Sequence, residues 1–500
     1  MRKTAISLTA LLGAALIAPT PAAAEPRNDS QALRDAVTVD GLMRHTRAFQ
    51  RIAETNGNSR ASGTTGYDRS ASYVSDLLTS AGLRVTQQEF TFTFYKEVTP
   101  AVVAQVSPTP RNYAAFTADY SPTGDVTGAI VPTNDILIPP GATPSSSSSG
   151  CEAADFIPAS PSQRQIALVQ RGTCDYRTKV INAAAAGYDA VIIFNEGQPG
   201  RQDAIPGTLS EPAAIPATLV SYASGAELYA AAQGGTAVGR VATTTEIRPA
   251  TTRNVFAETV GGNANEVVIA GAHLDSVAKG PGVNDNGSGV AALLEIAVQS
   301  AKLQTTTRQK MRFAFWGAEE FGSLGAQHYV DSLSSAQLAS ISAYLNFDML
   351  GSANFVRFLY DGDGSETGGA AGPAGSATIE TTFANYFAAQ RLPVKKTAFE
   401  FRSDYGPFFD AGVPVGGVHS GFDGLKTAEE AAIFGGTVGA QYDPCYHQAC
   451  DNLGNVNTTV LHQLADAAAH SIVTLAWAAP VARTPQPARS SIDRSNGTDA

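Results

Sequence analysis

Side chains able to do metal-assisted hydrolysis are gathered in four short stretches of this 500-residue chain. His273, Asp275 and Asp285 lie in AHLDSVAKGPGVNDNGSGV, the adjacent pair Glu319-Glu320 in WGAEEFGSLGA, Asp348 in NFDMLG, and Tyr446-His447 in DPCYHQACD. If Asp285, Glu319, Glu320 and Asp348 converge, their charges repel one another unless a cation sits among them. Imidazole combined with carboxylate suits zinc or a similar first-row ion better than calcium, which prefers oxygen alone. Asp275 lies two residues beyond His273, so on an extended chain both side chains point the same way. Its carboxylate can take the second imidazole proton and fix the tautomer. Of two neighbouring Glu residues in a loop, one can bind metal while the other reaches the water, supplying the base that hydrolysis needs. Taken singly, each feature has a plainer alternative. A lone H-x-D is also a satisfied histidine, and a Glu pair is favoured by the dipole at any helix N-terminus. His45, His328, His419, His462 and His470 read as structural.

Such groups need strands to aim them. The apolar runs Val267–Ala270, Met311–Phe315 and Ser342–Asn346 lead respectively to His273 and Asp285, to Glu319-Glu320, and to Asp348. Open α/β sheets build their sites at the carboxyl ends of strands. Helical patterns at Gly289–Ala301, Ser323–Ser332 and Ala377–Gln390 alternate with these runs, which predicts an α/β fold with a mixed, largely parallel central sheet. Before them come helical patterns at Ser30–Ala36, Val39–Asn56 and Gly66–Ala81 and a strand at Leu83–Tyr95. These make no closed unit and are read as the first part of the same domain. Between Pro100 and Pro249 lies a strand–helix–strand pattern (Ile166–Gln170, Tyr176–Ala186, Ala190–Phe194) without a catalytic constellation. That segment is assigned no catalysis.

Met1-Arg2-Lys3, the apolar Ala5–Ala18 and Ala22-Ala23-Ala24 have the layout of a secretory signal peptide cut after Ala24. The stretch is too short and interrupted for a membrane span, and no later run is long enough. A net charge of −11 argues against a large basic surface for nucleic acid. The four cysteines allow three pairings. Cys151–Cys174 and Cys445–Cys450 close local loops and are the expected pairs. Neither has the two-residue spacing of a zinc ribbon.

AHLDSV, GVNDNGSGV, WGAEEFGSLGA, NFDMLG, FRSDYGPF and DPCYHQACD occur in that order, and together they resemble the secreted bacterial two-zinc aminopeptidases. IALVQRGTCDYRTKVINAAAAGYDAVIIFNEG resembles the β-rich protease-associated domain inserted in some of them. The resemblance implies a zinc exopeptidase fold holding two Zn2+. Asp285 would bridge the ions, His273 and Asp348 would complete one, and Glu320 and His447 the other. Glu319 would be the general base, Tyr446 the donor to the oxyanion, and Arg402 a substrate-binding residue unless it pairs with Asp404. The expected organisation is a signal peptide at 1–24, peptidase parts at 25–98 and 251–482, the insert at 99–250 and a flexible tail at 483–500. The expected substrates are peptides or proteins with a free N-terminus. A carboxypeptidase or dipeptidase of the same fold, or a binding protein without catalysis, stands as the alternative, while a serine hydrolase lacks its G-x-S-x-G elbow.

Overall fold

The apolar run at Val267 becomes the strand Asn263–His273, exposed at its start and buried from Val267 onward. Its side chains alternate between two cores, as the period of a strand requires. Val268, Ala270 and Ala272 join Leu293 and Leu464 in one cluster. Val267 and Ile269 join Trp316, Tyr344 and Phe408 in the other. The strand runs parallel between Gln309–Trp316 and Ile341–Phe347, with Trp316 level with His273 and Asn346 level with Gly271. That register brings the carboxyl ends of all three to one edge. Val415–His419 extends the parallel set. Phe358–Tyr360 then pairs antiparallel, with Lys395–Thr397 outermost. The first cluster is capped by helices Val39–Glu54, Gly287–Lys302 and Thr458–Trp477. This is the mixed, largely parallel sheet with flanking helices that the alternating pattern predicts.

The computed structural model describes residues 30–480, so the signal peptide and the tail expected from sequence lie outside the described residues. Among the described residues no helix is long and apolar enough to cross a membrane.

Two long antiparallel strands, Arg84–Ser107 and Val238–Glu258, carry the chain out to the accessory segment and back. The first is longer than the Leu83–Tyr95 read from sequence. Its continuation is rich in Val, and Pro100 is accommodated where the register shifts between Thr99 and Val102. Strands Gly124–Pro132, Gln165–Gln170, Ala190–Phe194 and Ala217–Val220 lie parallel in the accessory segment. The first of them pairs antiparallel with Val238–Glu258, so the strands join in one 14-stranded sheet. Cys151–Cys174 and Cys445–Cys450 are bonded, as expected from their local spacing.

Candidate metal centre

Three strand ends and one disulfide-closed loop bring the candidate ligands together. His273 is 1% exposed. Its Nε2 lies 3.2 Å from Asp348 Oδ1, 3.3 Å from Asp285 Oδ1 and 3.9 Å from Glu319 Oε2. His447 Nε2 lies 3.2 Å from the other Asp285 oxygen, Oδ2, and 3.1 Å from Glu320 Oε2. Asp285 therefore stands between two half-sites with one oxygen turned to each histidine. Asp275 Oδ1 is 3.7 Å from His273 Nδ1 and accepts the Glu319 backbone N–H at 3.2 Å, tying the histidine to the glutamate loop. The Ser323 hydroxyl donates to Glu319 Oε1 at 3.1 Å. The Tyr446 ring stacks on His447 at 3.8 Å, and Arg402 Nη2 lies 3.4 Å from the Tyr446 hydroxyl.

The electrostatics ask for positive charge. Burial pushes Glu319 well above the ordinary carboxylate range, with Asp404, Glu320 and Asp348 adding to the shift. Burial also raises Glu320, with Asp285 adding to it. Burial alone would lower His273 and His447, yet the surrounding acids hold both well above an ordinary imidazole. Asp285 Oδ2 and Glu320 Oε1 are buried and meet no donor in hydrogen-bonding geometry. Buried carboxylate oxygens without donors are costly, and a divalent cation removes that cost. Two imidazoles with acid oxygens make a donor set that fits zinc.

A metal-free sample should betray this charge balance. The raised groups keep protons in the folded state at pH values where the unfolded chain has released them. Their stabilisation is thus complete below the ordinary carboxylate and imidazole values and is lost as pH rises through the folded ones. Asp285, held low by His273 and His447 against the effect of burial, contributes in the opposite direction only below the ordinary carboxylate range. Thermal melts of chelator-treated protein are expected to fall between about pH 5 and pH 8. A melting temperature that rises with pH over that window would contradict the balance.

The loop Leu274–Gly282 is clamped from beneath by a residue that sequence reasoning missed. Arg60 is fully buried, and it donates to the carbonyls of Pro281 at 2.9 Å, Leu274 at 2.5 Å and Gly282 at 2.6 Å. Its own backbone N–H donates to Ser276 Oγ at 2.9 Å. Asp451 accepts the backbone N–H groups of Asn284 and Asp285, both at 2.9 Å. Asn286 caps helix Gly287–Lys302 through Gly289 N–H at 3.0 Å and accepts Met349 N–H at 3.1 Å, joining the Asp285 loop to the Asp348 loop. Ala318, Ser323, Met349 and His447 take φ of 53–55°, the left-handed strain that collects at functional loops. Replacing Arg60 with Met leaves three buried carbonyls without a donor. Zinc affinity is expected to fall about 10- to 100-fold, the usual cost of losing a group that orients ligands. A competition titration with a chromogenic chelator reads this, and unchanged affinity would remove Arg60 from the account.

Arg402 pairs with Asp423 at 3.1 Å, not with Asp404. Asp404 is instead buried by the site with both oxygens unpartnered. Burial pushes its carboxyl well up, His273 opposes this, and Asp348, Asp275 and Glu320 add to it. Beside Arg402 opens an aromatic cavity of about 380 Å³ lined in part by Phe358, Tyr360, His419 and Phe422. His419 ends a strand and stacks between Phe358 at 4.8 Å and Phe422 at 4.4 Å. Burial lowers it to about 3, so it is neutral. A second acidic group, Asp361, Asp363 and Glu380, is already answered by the Lys396 ammonium, which contacts Glu380 and lies 3.2 Å from Glu366.

The profile of peptidase family M28 matches residues 254–472, which span all the candidate ligands. An aminopeptidase of Pseudomonas aeruginosa is 43% identical over 441 residues, 86% of this chain and 80% of that protein. This chain belongs to peptidase family M28. The peptidase also matches the PA domain over residues 126–228. A probable leucine aminopeptidase 2 of Aspergillus fumigatus is 38% identical, covering 73% of this chain and 70% of its own length. Among solved structures, the aminopeptidase from Aneurinibacillus sp. strain AM-1 aligns with a TM-score of 0.70 at 25% identity, over 92% of the peptidase and 98% of that chain. A zinc aminopeptidase from Bacillus subtilis shares the fold at a TM-score of 0.59 and 21% identity, over 90% and 95% of the two chains.

Proposed function

We propose that this M28 peptidase is a secreted, two-zinc aminopeptidase that hydrolyses the first peptide bond of peptides and proteins. The observation that carries the reading is Asp285, whose two oxygens address two different histidines. His273 and Asp348 would hold one ion with it, and Glu320 and His447 the other. Zinc bound there would acidify a water and polarise the scissile carbonyl. Glu319 is the general base: it stands 3.9 Å from His273 Nε2, farther than Asp348 or Asp285, and is oriented by Ser323. It takes the proton of the attacking water and returns it to the departing amine. Tyr446, beside the His447 half-site, donates its hydroxyl hydrogen to the developing oxyanion. Arg402, tethered by Asp423, steadies Tyr446 and borders the aromatic cavity, where a substrate side chain fits.

The surplus of acid around the site favours a free α-amine over a substrate carboxylate. A carboxypeptidase or dipeptidase would need a free cation for the substrate carboxylate, and Arg402 is already paired with Asp423. Secretion is supported by the leader-like N-terminus and by two disulfides, which belong to oxidising compartments. We read 25–98 and 251–482 as one peptidase domain with 99–250 inserted. Leucine anilide is expected to turn over while its N-acetylated form does not. Equal turnover of the two would overturn the aminopeptidase assignment.

A further inference from the structure

The accessory segment, which carries no constellation in the sequence, delivers one carboxylate to the neighbourhood of the metal centre. Asp119 lies just past the short strand Ala115–Thr117, which pairs with Ala217–Val220 of the accessory sheet. Its backbone is pinned on both sides, donating to Gly207 O at 2.9 Å and accepting from Leu209 N–H at 3.0 Å. Ala118 and Tyr120 beside it are buried in the accessory core, and Tyr120 holds a left-handed φ of 68°. Phe321, the residue directly after Glu319-Glu320, packs against that same core. It also meets Phe92 at 4.9 Å and Phe94 at 5.7 Å. A second link comes from the other metal loop, where Lys279 Nζ lies 3.9 Å from Glu97 Oε2. Tyr95, two residues before Glu97, packs its ring 5.3 Å from that of Tyr120.

Asp119 thus sits where the accessory core meets both the Glu319 loop and the Lys279 loop. Its residue is exposed on one side. On the others protein closes in, and burial raises the carboxyl to about 6, with Glu97 adding to the rise while His447, the Tyr95 hydroxyl and Lys279 oppose it. Above about pH 7 it carries a full charge. No Lys or Arg among the described residues forms an ion pair with it, and the Tyr95 hydroxyl beside it favours its charged form. A fixed, accessible carboxylate without a cationic partner, beside a catalytic centre, is a receptor for a cation.

We propose that Asp119 belongs to the substrate cleft and receives the ammonium or guanidinium of a basic residue in the peptide, giving the accessory segment a part in specificity. This rests on the aminopeptidase reading. The cation can come from the first residue of the substrate or from the second, and paired substrates separate the two. Lysine and leucine p-nitroanilides differ at the first residue, and the amides of Leu-Lys and Leu-Leu differ at the second.

In Asp119→Asn, the ratio of kcat/KM for the basic over the neutral member of one pair is expected to fall about tenfold, through KM, as for a partly desolvated ion pair. Asp119→Lys is expected to lower the ratio further and to do so in the same pair. A ratio that stays constant in both variants overturns the assignment. So does an equal loss on all four substrates, which would mark a structural role. Wild-type protein that turns over none of them would overturn the aminopeptidase reading itself, and Asp119 with it.

Discussion

Glu319→Gln is expected to keep its zinc and lose its turnover. The substitution preserves the volume of the side chain and its contact with Ser323, which lies 3.1 Å away, but removes the carboxylate that accepts a proton. Glu319 reaches His273 Nε2 only at 3.9 Å, whereas Asp348 and Asp285 stand at 3.2 and 3.3 Å, so the ligand set survives without it. General bases contribute about a hundred- to ten-thousandfold, and kcat for leucine anilide should fall by that factor with KM little changed. Zinc content measured on the same sample decides between the two jobs a glutamate can do here. Loss of zinc along with activity would make Glu319 a ligand, and full activity would remove it from the chemistry.

Asp285→Ala is expected to act on the metal first. Among the described residues Asp285 is the only side chain ion-paired with both His273 and His447, so its loss opens both half-sites at once. It also leaves His273 and His447 without the carboxylate that now sits between them. Zinc content should drop below that of any other single ligand variant, and turnover should fall at least about a thousandfold, because water is no longer acidified at neutral pH. The folded scaffold should persist, since Asn284 and Asp285 are held through backbone N–H groups that Ala retains. Far-UV circular dichroism checks that point. A variant that keeps two zinc ions and activity would end the bridging assignment.

Much of the candidate site is legible in the sequence because its proposed ligands follow strands directly. His273 ends its strand, Asp348 follows Phe347 at the end of another, and Glu319 lies three residues past Trp316, so local pattern and sheet register suffice to bring them together. His447 is harder. It comes from a loop with no strand leading to it, and the motif DPCYHQACD, rather than any periodicity, singles it out. Arg60 was not legible at all. Its three acceptors lie more than two hundred residues away, and a lone Arg in a Ser- and Gly-rich stretch carries no signal of burial. Asp404 and Arg402 invite pairing by their spacing, but the fold turns Arg402 to Asp423 and buries Asp404 alone. The end of the first long strand was equally out of reach. Whether Lys96 to Ser107 stay extended depends on residues 238–246, which arrive far later in the chain.

The central claim is a pair of zinc ions bridged by Asp285 and required for hydrolysis. Its most direct measurement is a zinc titration of chelator-stripped protein, with bound metal counted by mass spectrometry and leucine anilide turnover followed in the same samples. The account predicts no turnover without metal and recovery that completes at two zinc ions per chain. Turnover that survives complete removal of metal, or that is complete with a single ion bound, would contradict it.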